Sequence, residues 1–174
     1  INLRQKNKIG VLGGSFDPAH KGHLAISKKA FKKYNLKKVI WAITFRNPLK
    51  KKSTTNIFER IQKCKKIIGS NNFIKIKFYE KIINSNKTID LINYLNKNTN
   101  YEIYFLMGAD NLIHFHKWHK WKMISKKCNI LVFDRQGYKK KSLNSVSFKR
   151  LNGEKLKFIE FNKVNISSSQ LRKI

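Results

Sequence analysis

Residues 9–23 read IGVLGGSFDPAHKGH, and the way this stretch divides decides the fold. Ile9 to Leu12 is a short, uncharged apolar run of the kind that forms a buried central strand. After His23 the pattern becomes helical, with Leu24, Ala30, Phe31 and Tyr34 inward and Lys28, Lys29, Lys32 and Lys33 outward. Between strand and helix, Gly13 and Gly14 are expected to let the backbone turn sharply and approach a ligand, and Pro18 stiffens the turn. The helix N-terminus then offers backbone amides to an anion. His20 and His23 are spaced so that both point to one side near a helix start, and Gly22 between them leaves room for a phosphate. Asp17, beside a proline, is expected to hold the loop through backbone amides.

Working outward, Val39 to Ile43, Ile103 to Met107 and Ile130 to Phe133 repeat the buried-strand pattern. Phe73 to Tyr79 alternates, and Lys157 to Phe161 adds a further strand. Asn56 to Ile68 is helical, with Ile57, Ile61, Cys64 and Ile68 on one face, Asn56 and Glu59 as a capping pair and Gly69 as the stop. Another helix opens at Thr88, with Thr88 as its cap. Lys139 to Lys141 reads as a loop. Strands alternating with helices give an α/β class: a Rossmann-like open parallel sheet with helices on both faces, one domain over residues 1–174, and ligands at the carboxyl ends of the strands.

The chain's 174 residues suffice for one core, and 41% hydrophobic residues with two prolines exclude a disordered or collagen-like chain. Lys and Arg number 39 against 9 Asp and Glu, a net charge of +30. Such a charge points to an anionic partner, with base-composition drift toward Lys, Asn and Ile as the competing source. There is no apolar run of about 18 residues to cross a membrane and no signal-peptide pattern at the start, so a cytoplasmic protein is expected. Cys64 and Cys128 are far apart and read as small buried hydrophobes, which excludes a disulfide framework or zinc ribbon.

A second informative segment, ISSSQLR, spans residues 166–172. Ser167, Ser168 or Ser169 can cap a helix whose N-terminus faces an anion, and Arg172, about one turn later, can reach the same phosphate. Together the two segments resemble the nucleotidyltransferase superfamily with its HxGH and ISSTxxR motifs. Over nearly the whole chain the closer resemblance is to bacterial nicotinate-mononucleotide adenylyltransferases. Their GGTFDPxHxGH stands here as GGSFDPAHKGH, GAD as Gly108, Ala109 and Asp110, KW as Lys117 and Trp118, RPG as Arg135, Gln136 and Gly137, and ISSTxxR as ISSSQLR. One segment departs: the family's PNxxPPHK stands here as ITFRNPLK, with Thr44 at the Asn position and Leu49 at the His position, leaving Pro48 and Lys50 as matches. Asn47 can supply the missing amide through a local shift.

The resemblance implies that ATP and nicotinate mononucleotide give nicotinate adenine dinucleotide and pyrophosphate. It makes His20, His23 and Arg172 the catalytic residues. Gly13, Gly14, Ser15, Phe16, Gly22, Gly108, Asp110, Arg135, Ser167, Ser168 and Ser169 would hold ATP and its phosphates. Thr44, Asn47, Lys50, Thr88 and Trp118 would hold the mononucleotide, Trp118 by stacking on the pyridine ring. Trp121 reads as packing. Magnesium is expected mainly on the ATP phosphates, with no metal site of the protein's own; the spacing of His114, His116 and His119 lacks completing ligands. The competing readings are a relative with another phosphate acceptor, such as phosphopantetheine, and a basic nucleic-acid-binding module, which lacks a recognition signature here. A homo-oligomer is compatible with the sequence, and a membrane partner is not expected.

Overall fold

The structure, a computed structural model, describes residues 4–45, 56–153 and 155–161. Six strands, β1 (Lys8–Gly14), β2 (Lys38–Ile43), β3 (Ile74–Lys77), β4 (Glu102–Gly108), β5 (Asn129–Phe133) and β6 (Leu156–Ile159), form one sheet in the order β3-β2-β1-β4-β5-β6. Every pairing is parallel. The intervening helices are α1 (Lys21–Lys33), α2 (Ile57–Ile68), α3 (Glu80–Ile83), α4 (Thr88–Asn98), α5 (Ala109–Phe115), α6 (Trp121–Lys127), α7 (Lys139–Leu143) and α8 (Val146–Leu151).

Strand pleating divides the core in two. Ile9 and Val11 of β1, Ile103, Phe105 and Met107 of β4, and Ile130 and Val132 of β5 face Ile92, Leu112, Phe115 and Ile124 from α4, α5 and α6. The alternate residues, Leu12, Val39, Trp41, Ile43, Tyr104, Leu106, Leu131 and Phe133, face Ala30 of α1 and Cys64 and Ile68 of α2. Both faces are covered, as parallel sheets require. Successive strands are added in one direction up to β3 and in the other from β4 onward, and the crevice at the carboxyl ends between β1 and β4 is where such sheets bind ligands.

Most expected elements form, and their edges move. The 73–79 strand contracts to Ile74–Lys77, and Tyr79 already stands at the start of α3. The last strand is Leu156–Ile159, leaving Phe161 to pack on the core beyond it. Lys139 to Lys141 belong to helix α7, contrary to the expected loop. Its anchors are tertiary: Ser142 is fully buried and Lys139 pairs with Glu160, neither visible in a run of lysines. Thr88 is the first residue of α4, capped by the Lys87 backbone with no side-chain cap bond, so Thr88 is not the cap.

Candidate active site

The glycines do not make the turn after β1. Gly13 and Gly14 continue the strand, pairing with Ala42 and Ile43 of β2, and the left-handed backbone falls on Phe16, at φ 49°. A phenylalanine holds this disfavoured conformation because its ring is anchored. It is 1% exposed, stacked on Trp41 at 4.9 Å and 4.7 Å from the His23 ring. Phe16 thus supports the site with a buried side chain. Asp17 is likewise buried.

Helix α1 opens with a capping box built from two imidazoles. The Gly22 N–H donates to His20 Nδ1 at 3.1 Å, and the His20 N–H donates to His23 Nδ1 at 3.1 Å. The box ordinarily pairs Ser or Thr with Glu or Gln. Its consequence here is chemical. An Nδ1 that accepts a hydrogen bond carries no proton, so each neutral ring bears its N–H on Nε2. The ring centroids lie 3.9 Å apart. Burial, with the Arg135 charge behind it and Asp110 partly opposing, lowers the His20 pKa to about 4. At neutral pH His20 is therefore an uncharged donor. The amides of Gly22 and His23 are already bonded to His20, so they are not the free donors expected from sequence.

Behind His23, the Trp41 Nε1–H donates to Ser27 Oγ at 2.8 Å, and the Ser27 hydroxyl donates to the His23 carbonyl at 2.8 Å. Neither residue stood out in the sequence. Ser27 follows His23 by one helical turn, which is the signal that finds it.

Across the crevice, Asp110 lies in the first turn of α5, after β4, and Arg135 follows β5. Arg135 Nη1 donates to Asp110 Oδ2 at 2.6 Å, and both side chains are about one-fifth exposed (21% and 22%). The Arg135 amide donates to Asp134 Oδ1 at 2.7 Å. Gly108 caps this helix end.

A small open cavity at the carboxyl ends of β1 and β2 is lined by Gly13, Thr44, Glu80, Thr88 and Phe105 among others. Thr44 and Thr88 both line its wall. Trp118 reaches that wall indirectly, edge-on to Phe105 at 6.0 Å and to Phe115 at 5.1 Å. Trp121 packs on Phe115, as expected. Among the described residues no three His, Cys, Asp or Glu side chains form a metal cluster, the three histidines of 114–119 included. Asn47, Lys50, Ser167, Ser168, Ser169 and Arg172 lie outside the described residues.

One buried cation was missed altogether. Arg60 of α2 is 1% exposed and donates to the carbonyls of Ser15, Thr44 and Phe45.

Comparison with known proteins converges on one group. The cytidylyltransferase-like family model matches residues 11–174. A probable nicotinate-nucleotide adenylyltransferase of Pelagibacter ubique is 68% identical over 174 residues, covering 99% of this chain and 97% of that protein. One from Nitratiruptor is 35% identical over 95% of this chain and 87% of its own. Among solved structures, the Plasmodium falciparum nicotinic acid mononucleotide adenylyltransferase complexed with NaAD superposes with a TM-score of 0.78 at 24% identity, covering 97% of this chain and 83% of that one, a likeness of fold. No helix among the described residues is long and apolar enough to cross a membrane.

Proposed function

The chain belongs to the nicotinate-nucleotide adenylyltransferases, within the cytidylyltransferase-like family, and from that premise we propose that it transfers AMP from ATP to nicotinate mononucleotide, forming nicotinate adenine dinucleotide and pyrophosphate in the cytoplasm. The observation that carries this reading is the paired imidazoles at the carboxyl end of β1, both Nδ1 atoms accepting backbone N–H groups, beside the Asp110–Arg135 pair.

The nucleophile is the phosphate of the mononucleotide. With a second pKa near 6, it is mostly dianionic at pH 7, so attack on the α-phosphorus needs no protein base. Catalysis is then alignment and charge stabilisation. As the bond to the β-phosphate breaks, negative charge moves onto pyrophosphate, and the Nε2–H groups of His20 and His23 donate to it. Fixed by their own helix, the rings require no reorganisation. Arg135, held by Asp110, adds a positive field on the nucleotide side. Ser167, Ser168, Ser169 and Arg172 would hold the far phosphates. Magnesium on the ATP phosphates supplies charge neutralisation. The Asp110 carboxylate is engaged by Arg135, which supports an ion held mainly by phosphate and water. In the acceptor cavity, Thr44 and Thr88 would meet the mononucleotide and Trp118 would stack on its ring.

The test is pyrophosphate release from ATP and magnesium with nicotinate mononucleotide, nicotinamide mononucleotide and phosphopantetheine in parallel. Release with the first alone, or far faster, is expected. Preference for phosphopantetheine would overturn the acceptor assignment, and silence with all three would overturn the activity.

A further inference from the structure

Arg60 occupies a position that ordinary packing does not require. It lies in the first turn of α2, yet its side chain runs inward until it is 1% exposed. Nη1 donates to the Ser15 carbonyl and to the Thr44 carbonyl, each at 2.7 Å, and Nη2 to the Phe45 carbonyl at 3.1 Å. These acceptors belong to different loops. Ser15 starts the segment that leads to His20 and His23, whereas Thr44 and Phe45 follow β2, and Thr44 borders the acceptor cavity. A second tie reaches the same loop from α3: Glu80 Oε2 accepts the Phe45 amide at 3.0 Å. Burial works against the Arg60 charge, and the fields of Asp17 and Glu80 help to restore it. An apolar residue would fill this space without burying a guanidinium, so the retained charge calls for a role beyond filling.

We propose that Arg60 is a positioning residue, whose planar fork sets the spacing between the imidazole loop and the acceptor loop and so holds the two reacting phosphates in line. The proposal rests on the adenylyl-transfer reading above. Lysine cannot reproduce it, because a single ammonium does not span separated carbonyls with the fixed geometry of a guanidinium. Misplacement of reactants by about 1 Å costs roughly 100-fold in rate, and that loss falls on turnover rather than on either binding step.

The experiment compares the wild-type chain with Arg60→Lys and Glu80→Ala. Turnover is measured by pyrophosphate release, dissociation constants for ATP and for nicotinate mononucleotide separately by calorimetry, and folding by circular dichroism and thermal melting. Arg60→Lys is expected to keep both dissociation constants within about 3-fold of wild type while kcat falls roughly 100-fold, with no recovery at temperatures well below its melting point. Glu80→Ala, which removes the tie to the Phe45 amide and one of the fields that support the Arg60 charge, should lower kcat less, by roughly 10-fold. A folded Arg60→Lys with near-normal kcat, or one whose loss follows its unfolded fraction, overturns the proposal. If Arg60→Lys does not fold, Glu80→Ala decides: normal turnover overturns it, and a kcat loss at unchanged binding supports it. An inactive wild type would instead overturn the adenylyl-transfer reading, so the two failures are distinct.

Discussion

Gly108 leaves the space that Asp110 fills. A Cβ on Gly108 would stand 2.6 Å from Asp110 Oδ1, while the other carboxylate oxygen is held by Arg135 at 2.6 Å. Asp110 is too short to swing aside without giving up that partner. Gly108→Ala is therefore expected to break the pair and raise the KM for ATP roughly tenfold, the equivalent of about 1.4 kcal/mol, with the fold retained. Steady-state kinetics on the folded variant check this, and an unchanged KM would show that the pair does not serve ATP.

His20→Asn separates the two jobs of that ring. Asparagine is among the best N-cap residues, so the helix start should survive, whereas the Nε2 donor disappears. Loss of one preorganised donor of this kind costs roughly 10²–10³ in kcat. The expected outcome is that loss with a melting temperature close to wild type. Turnover within a few-fold of wild type would remove His20 from the chemistry.

The His20 titration carries a sign. Its folded pKa is lowered to about 4 from the ordinary 6.5, burial being the first cause and Arg135 the second. Between those values the unfolded chain binds a proton that the folded chain does not, so this group's contribution makes stability fall as pH drops from 6.5 toward 4. Above 6.5 both states are neutral and the effect vanishes. NMR titration of the free protein should show the His20 midpoint near 4 with the proton on Nε2. A midpoint near 6.5 would contradict the buried, Arg135-facing environment.

Ser27→Ala tests the backing behind His23. It leaves the buried Trp41 Nε1–H without its acceptor, which costs about 1–3 kcal/mol. A lower urea midpoint at unchanged slope is the expected result. No shift would mean that the indole finds another partner.

Much of this architecture is legible in the sequence because its signals are local. Short β-branched runs mark the central strands, and Asn56 and Gly69 mark both ends of α2, where Asn56 caps Glu59 N–H and Gly69 stops the helix as read. The HxGH spacing likewise brings His20 and His23 ring against ring. Features fixed by distant partners are not legible. Arg60 looks like any basic residue of a lysine-rich helix until the loops after β1 and β2 close over it. The turn expected at Gly13 moves to Phe16 because Trp41, from the next strand, holds the Phe16 ring. Helix α7 depends on burial of Ser142 and on Glu160, which no pattern within three lysines announces.

The strand order also bears on how the chain is made. β1 is central, paired on one side with β2 and on the other with β4, yet β2 follows it closely whereas β4 is translated far later. Since synthesis proceeds at about 5–20 residues per second, the nascent chain spends seconds with one edge of its first strand unsealed. During that interval the imidazole segment exists without Asp110 or Arg135 across from it. Competence for reaction thus arrives late in synthesis, when the second half of the sheet docks, and a product released early by the ribosome would carry the histidine motif without a working crevice.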